Sequence, residues 1–238
     1  MRQASGGGYN EAMHHEHHLT VERTARYFTI EPAGGGAARE VWFGLHGYAQ
    51  LAEKFLRVFE VLDDGTRCIV APEALARFYL HPDPPPSGVG HIGASWMTRE
   101  DRLSEIADNV AYLDALARHV FRQVARATVT LRVLGFSQGA LAAARWAAQG
   151  TTRVDQLILW GGALPPELDV AAAPALGRLP VLLVWGEQDP YYDPAKVAHD
   201  EKRLTDAGVA CRVVTYSGGH HVNRELLLRL ATELPGAP

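Results

Sequence analysis

Residues 131–139 read LRVLGFSQG, and this stretch decides the fold that we expect for the chain. The first five residues are apolar except for Arg132 and predict a buried β-strand. The next part, Gly135-Phe136-Ser137-Gln138-Gly139, fits the pattern G-x-S-x-G, and an Ala-rich helix is predicted from Gln138 to Ala148. A serine at a sharp turn from strand to helix, with a glycine two residues away on either side, has the setting that a nucleophilic hydroxyl needs.

The segments on both sides of this stretch alternate between apolar runs and amphipathic stretches. Strands are predicted at 41–45, 68–72, 131–135, 156–160, 181–185 and 212–216, with one or two weak β-segments within 19–30. Helices are predicted at 51–62, 98–124, 138–148, 196–207 and 222–234. Apolar strands that alternate with helices indicate an α/β fold, with a mostly parallel central sheet and helices on both faces. In such a sheet the loops that follow the strands share one edge, where ligands bind.

The helix predicted at 98–124 has the clearest pattern in the chain. Thr98 and Asp101 resemble a capping box at its start. One apolar stripe follows, made of Leu103, Ile106, Val110, Leu113, Leu116, Val120 and Val124.

The domain organisation is predicted to be simple. Residues 1–18 combine three consecutive glycines with histidines at 14, 15, 17 and 18, and we expect a poorly ordered tail. Residues 19–238 are predicted to form one domain. Within it, residues 74–98 are rich in proline and glycine and are predicted to be an irregular pocket wall or lid loop.

Composition excludes several classes of protein. The chain has 238 residues, 47% of them hydrophobic and 21% charged, with a formal net charge of −4. These values exclude disorder over most of the length and favour neither nucleic acid nor an anionic membrane as a partner. No apolar run is long enough for a membrane helix, and no secretory signal is evident. We therefore expect a soluble, cytoplasmic protein. The sequence does not decide between a monomer and a homodimer.

Two further strand ends carry the residues that a nucleophilic serine requires. Asp189 follows the strand at 181–185, and His220 follows the strand at 212–216 after two glycines. The order Ser137, Asp189, His220 is the chain order expected on a sheet of this kind. We predict these three as catalytic residues, with His220 as the base and Asp189 as its orienting acid. Asp193 and Glu187 remain alternatives for the acid, and His221 remains one for the base.

Acyl transfer also needs two backbone N–H groups directed at the developing oxyanion. We predict Gln138, the residue after the nucleophile, as one donor. The other is predicted in the loop after the strand at 41–45, which reads HGYAQ, with the amide of Tyr48 as the donor. The side chain of His46 is interpreted as a hydrogen-bonded core residue.

Four motifs together resemble the α/β-hydrolase superfamily, and within it the phospholipase/carboxylesterase branch that includes acyl-protein thioesterases. They are Leu45-His46-Gly47, the G-F-S-Q-G stretch at 135–139, Gly186-Glu187-Gln188-Asp189 and Gly218-Gly219-His220. The resemblance covers about residues 40–234. It implies an α/β-hydrolase fold, the triad Ser137, Asp189 and His220, oxyanion donors at Tyr48 and Gln138, no metal and no cofactor.

The chain departs from that branch at a few positions. Ala140 and Ala49 stand where many members have glycine, and His221 after the proposed base is unusual. These changes affect the expected pocket shape and specificity rather than catalysis. The resemblance also implies that Cys68 and Cys211 lie on well-separated strands, so a disulfide is not expected.

Aromatic and apolar residues near these motifs are candidates for a substrate pocket, with an ordinary core or lid role as the alternative. They are Phe78, Tyr79, Trp96, Met97, Tyr191 and Tyr192.

The sequence thus predicts a serine hydrolase that cleaves short to medium acyl esters or thioesters through an acyl-enzyme, without a cofactor. A serine peptidase or amidase on the same fold and a non-catalytic binding protein are the alternatives. A metal protein that uses the histidines of the tail is a third.

Overall fold

Residues 14–80 and 90–233 are described by a computed structural model of the chain. The strands are β1 (Tyr27–Ile30), β2 (Glu40–Leu45), β3 (Arg67–Pro72), β4 (Ala76–Tyr79), β5 (Ile92–Ser95), β6 (Thr130–Phe136), β7 (Gln156–Trp160), β8 (Val181–Gly186) and β9 (Cys211–Tyr216). The helices are α1 (Ala52–Leu56), α2 (Arg102–Val120), α3 (Gln138–Gln149), α4 (Pro194–Asp206) and α5 (Arg224–Glu233).

Seven of these strands form one sheet in the order β1-β3-β2-β6-β7-β8-β9. All neighbours in it are parallel except β1, which runs antiparallel to β3. In register, Leu45 at the end of β2 lies opposite Gly135 near the end of β6. The loops that follow β2, β6, β8 and β9 therefore meet at one edge of the sheet.

Each face of the sheet is covered by its own hydrophobic core. Leu113 of α2, Trp146 of α3 and Leu204 of α4 belong to one core. Phe55 of α1 and Leu227 of α5 belong to the other. Because both faces are buried, the inner strands have to be apolar throughout, which is the pattern seen in the sequence. The predicted α/β fold with helices on both faces of a mostly parallel sheet is confirmed.

The largest departure from the expected fold lies in the stretch 74–98. This stretch is not irregular throughout, because β4 and β5 pair there as an antiparallel two-stranded sheet. The segment between these strands is rich in proline and glycine. This composition made the two short strands on either side difficult to recognise from the sequence. Residues 81–89 of the predicted lid loop lie outside the described residues.

The helix predicted at 98–124 also needs correction. It begins only at Arg102, and its N-cap Asp101 has φ 45° and makes no side-chain capping bond, so the predicted capping box is wrong. Thr98 instead donates its backbone N–H to the carboxylate of Glu105 at 2.5 Å. The helix ends at Val120, and Leu103 of the predicted apolar stripe is 72% exposed.

Smaller differences occur near the N-terminus. Only Tyr27–Ile30 of the predicted β-segments within 19–30 forms a strand. The helix predicted at 51–62 is a short α1 followed by a 3-10 helix at Arg57–Leu62. Residues 1–13 of the predicted tail are outside the described residues, and 14–18 are exposed without regular structure. Cys68 and Cys211 are free, and four strands of the sheet separate β3 from β9. Within residues 14–80 and 90–233, no helix has both the length and the apolar character needed to cross a membrane.

Candidate active site

Ser137 lies at a strained turn between β6 and α3. Its backbone has φ 55° and ψ −118°, outside the regions that most side chains adopt. The turn is held because the N–H of Ser137 donates to the carbonyl of Trp160 at the end of β7, at 2.8 Å. A Cβ on Gly135 would stand 2.2 Å from the carbonyl oxygen of Gly139. The glycine before the serine is therefore required by close backbone packing within the turn.

His220 is placed by the loop that follows β9. A Cβ on Gly186 would stand 2.2 Å from the carbonyl oxygen of Gly218, so the ends of β8 and β9 approach closely only because residue 186 is glycine. The hydroxyl of Tyr216 donates to the carbonyl of Gly219 at 3.0 Å. It also contacts the carbonyl of His221, which in addition accepts from the indole N–H of Trp160 at 3.1 Å. These bonds fix the main chain on both sides of His220.

The three predicted catalytic side chains form one chain of hydrogen bonds. Nε2 of His220 lies 3.0 Å from Oγ of Ser137, and Nδ1 lies 2.6 Å from Oδ2 of Asp189. The Asp189 side chain is 1% exposed, and that of His220 is 23% exposed. A carboxylate at Nδ1 favours the tautomer with a proton on Nδ1, which leaves the lone pair of Nε2 free to accept from the serine hydroxyl.

The alternatives that the sequence left open lie elsewhere. Asp193 accepts from the backbone N–H groups of Ala195 and Lys196 and caps α4. Glu187 is exposed and accepts from Thr215. The ring of His221 is exposed and packs edge-on against Tyr216. Of these candidates, the structure brings Asp189 and His220 to Ser137.

The loop after β2 passes directly beside the serine. A Cβ on Gly47 would stand 3.2 Å from Cβ of Ser137. Tyr48 follows Gly47, and among the described residues no acceptor is found for the backbone N–H of Tyr48 or of Gln138. Gln138 is the first residue of α3, where the helix dipole adds positive potential. Both amides therefore remain free to donate to an oxygen at this position.

His46 holds this loop from inside the protein, as the core interpretation predicted. Its ring is fully buried. The backbone N–H of Ala74 donates to Nε2 at 3.1 Å, so Nδ1 carries the proton and donates to the carbonyl of Gly47 at 2.8 Å. Burial lowers the pKa of His46, which keeps the ring neutral in this arrangement.

Strand β5 and the residues after it form hydrogen bonds with the segments that carry both predicted oxyanion donors. The indole N–H of Trp96 donates to the carbonyl of His46 at 2.8 Å, and its backbone N–H donates to Oε1 of Gln138 at 2.9 Å. Nε2 of Gln138 donates to the carbonyl of Met97 at 2.8 Å. On the other side, the N–H of Ala49 donates to the carbonyl of Ala94 at 2.9 Å.

These contacts correct the expected role of Trp96 as a pocket residue and leave that of Met97 a prediction. Trp96 is only 2% exposed, so its side chain does not line an open substrate pocket. Met97 is half-buried, and its sulfur lies 3.1 Å from the guanidinium of Arg145. Trp96 packs inside the protein because its N–H groups find buried partners that the sequence does not reveal.

We expect the substitution Trp96→Phe to lower kcat for a short-chain ester by about tenfold and leave KM within about twofold. It keeps a ring in place but removes the donor to His46, so the loop that carries Tyr48 loses one anchor. Steady-state kinetics on the purified variant measures the effect. Trp185→Phe is the control, because Trp185 is equally buried and packs against Tyr192 away from this loop. An equal loss of kcat in both variants would show a general packing effect instead.

The other predicted pocket residues differ in their surroundings: Phe78 lies against the loop after β2, and Tyr191 contacts a predicted catalytic side chain. Tyr48 is 58% exposed and stacks on Phe78 with ring centroids 5.3 Å apart. Tyr191 is 68% exposed and contacts the ring of His220 edge-on at 4.8 Å. Tyr79 is 61% exposed, and Tyr192 packs on Trp185. A cavity of about 470 Å³ adjoins the loop after β2 and is lined mainly by apolar residues, including Leu51, Phe55, Val58, Leu80 and Ile92.

Three residues at the site were not singled out from the sequence. A Cβ on Gly161 would stand 3.3 Å from the His220 ring, and one on Gly162 would stand 2.5 Å from the carbonyl oxygen of Ser137. Oε1 of Gln50 accepts from the N–H of Gly47 at 2.8 Å. The paired glycines at the end of a predicted strand were a usable signal for a close backbone approach, whereas nothing in the sequence marked Gln50.

The histidines proposed as a third alternative lie apart from this site. Nε2 of His18 is 3.3 Å from Glu16 and 3.2 Å from Asp101, and all three side chains are exposed. Asp101 precedes α2 without making a side-chain capping bond, and its carboxylate contacts His18. The cluster therefore takes no part in the chain of hydrogen bonds at Ser137.

Several solved structures share this architecture. Acyl-protein thioesterase 2 from Zea mays superposes with a TM-score of 0.66 at 18% identity, covering 88% of this chain and 99% of that one. The carboxylesterase from Bacillus cereus gives 0.65 at 14% identity, covering 88% and 94%. A phospholipase/carboxylesterase from Dyadobacter fermentans gives 0.62 at 19% identity, covering 90% and 97%. At these identities the likeness establishes the fold.

Family membership comes from the sequence. No curated protein matches the chain. The profile of the Phospholipase/Carboxylesterase family matches residues 93–233, which is more than half of the chain and includes Ser137, Asp189 and His220. The chain therefore belongs to the phospholipase/carboxylesterase family of the α/β-hydrolase superfamily and is a hydrolase of the carboxylesterase type.

Proposed function

We propose that this protein is a serine hydrolase that cleaves short to medium acyl esters or thioesters through an acyl-enzyme on Ser137. The observation that carries the proposal is the unbroken chain of contacts from Ser137 Oγ to His220 Nε2 at 3.0 Å and from His220 Nδ1 to Asp189 at 2.6 Å. A serine hydroxyl is a weak nucleophile by itself, and a base at this distance can remove its proton as the attack proceeds.

In the first half of the reaction, Oγ of Ser137 attacks the acyl carbon while Nε2 of His220 takes the hydroxyl proton. The carbonyl oxygen becomes an oxyanion and accepts hydrogen bonds from the amides of Tyr48 and Gln138. Asp189 stabilises the imidazolium without taking its proton. The bond to the leaving oxygen or sulfur then breaks, and His220 returns the proton to that atom.

In the second half, water attacks the acyl-enzyme in the same way. His220 removes a proton from the water, the oxyanion forms again at the two amides, and Ser137 leaves as its hydroxyl when the proton is returned. The carboxylic acid is the second product. Apart from the attacking water, every group that these steps use belongs to the chain.

Labelling with a fluorophosphonate tests the proposal, since the reagent forms an adduct only with an activated serine. We expect one adduct per chain, on the peptide that carries Ser137, and none in Ser137→Ala. Ser217→Ala is a matched control, because Ser217 is an exposed serine beside β9, and this variant should label like the wild type. Absence of labelling in folded wild-type protein, or persistent labelling of Ser137→Ala, would contradict the proposal.

A further inference from the structure

Tyr191 has an unusual combination of fixed position and open surface. Its backbone N–H donates to Oδ1 of Asp189 at 2.8 Å, so its main chain is held by the same carboxylate that orients His220. Its ring lies edge-on to the imidazole of His220, with centroids 4.8 Å apart and planes at 68°. Yet the residue is 68% exposed. Most of its aromatic surface is therefore accessible to a ligand beside the reacting groups.

The position of Tyr191 decides which part of a substrate it can meet. In the proposed mechanism, on which this inference rests, His220 delivers its proton to the leaving oxygen, so the alcohol portion of the ester departs beside the imidazole. The carbonyl oxygen points instead toward the amides of Tyr48 and Gln138. Because the ring of Tyr191 contacts the ring of His220, it lies beside the group that protonates the departing alcohol.

The chemistry around Tyr191 limits the kinds of ester alcohol that this residue would favour. Aromatic rings pair favourably when their centroids are about 4.5 to 7 Å apart, in offset or edge-on geometry. The charged residues nearest to Tyr191 along the chain are Asp189 and Asp193, both carboxylates. Asp193 is paired with Lys196 at 3.5 Å, but the buried Asp189 beside the base disfavours a negatively charged alcohol. We propose that Tyr191 is a specificity determinant that favours esters whose alcohol carries an uncharged planar aromatic ring close to the ester oxygen.

Two acetate esters test this selectivity directly. Benzyl acetate and cyclohexylmethyl acetate share the acyl group and the carbon skeleton of the alcohol but differ in whether the ring is aromatic. The measured quantity is the ratio of their kcat/KM values, normalised to the ratio of their rates with hydroxide. We expect Tyr191→Leu to lower this ratio by about three- to tenfold, and Tyr191→Phe to keep it within about twofold of wild type.

Tyr79→Leu is the matched control. Tyr79 is also an exposed tyrosine, at 61%, but lies on β4 and points to the opposite face from Phe78. The same substitution there should leave the ratio unchanged. An unchanged ratio in Tyr191→Leu, an equal loss for both esters, or no turnover of either ester by wild-type protein would overturn the role of Tyr191. Turnover that persists in Ser137→Ala would instead contradict the proposed function.

Discussion

His220→Ala is expected to lower kcat/KM for a short-chain aryl ester by about ten thousand-fold or more. The imidazole is the group within hydrogen-bond distance of the Ser137 hydroxyl that can take its proton, with Nε2 at 3.0 Å. Without it, the serine attacks with its proton still bound, and the leaving group departs without protonation. The amides of Tyr48 and Gln138 are unchanged in this variant, so some rate above the uncatalysed reaction should remain.

The neighbouring histidine provides a sharp comparison. His221 differs from His220 by one position, but its ring is exposed and packs on Tyr216 instead of facing the serine. Its carbonyl, which accepts from Trp160, is retained in His221→Ala. We therefore expect this variant to keep kcat/KM within about threefold of wild type. If His221→Ala were the inactive variant and His220→Ala the active one, the assignment of the base would be reversed.

The second large effect is expected from Gly139→Ala, and its sign is opposite to what helix propensity predicts. Gly139 lies in the first turn of α3, where alanine in place of glycine would ordinarily stabilise a helix by about 1 kcal/mol. Here a Cβ would stand 2.2 Å from the carbonyl oxygen of Leu45 and 2.5 Å from that of His46. Both are backbone atoms at or just after the end of β2, and they cannot move aside without shifting the loop that carries Tyr48.

We expect Gly139→Ala to lower the free energy of unfolding by roughly 3 kcal/mol or more, together with a loss of ester hydrolysis. Urea unfolding followed by tryptophan fluorescence measures the first effect. Gly177→Ala is the control, because a Cβ there would meet only the carbonyl of Pro174 at an ordinary 3.5 Å, and a change within about 0.5 kcal/mol is expected. A stable and active Gly139→Ala would mean that β2 and α3 approach less closely than described.

Local sequence was sufficient for the sheet and for the turn at Ser137. Strands buried on both faces must be apolar along their whole length, so β2, β3, β6, β7 and β8 could be recognised individually. The short strands β4 and β5 escaped because each has only four residues, and their pairing partner lies across a segment rich in proline and glycine. A short strand that is stabilised by a distant partner leaves little pattern of its own.

The sequence by itself determined the fold class, the turn at Ser137 and the chain order of serine, acid and histidine. Each of these can be recognised from short runs of neighbouring residues. Only the tertiary structure decided that Asp189 faces His220 while Asp193 caps α4, and that His220 rather than His221 faces the serine. It also decided that Trp96 is a buried donor to His46. These choices depend on hydrogen bonds between residues 31 to 83 positions apart, which exist only once the sheet has brought the strand ends together.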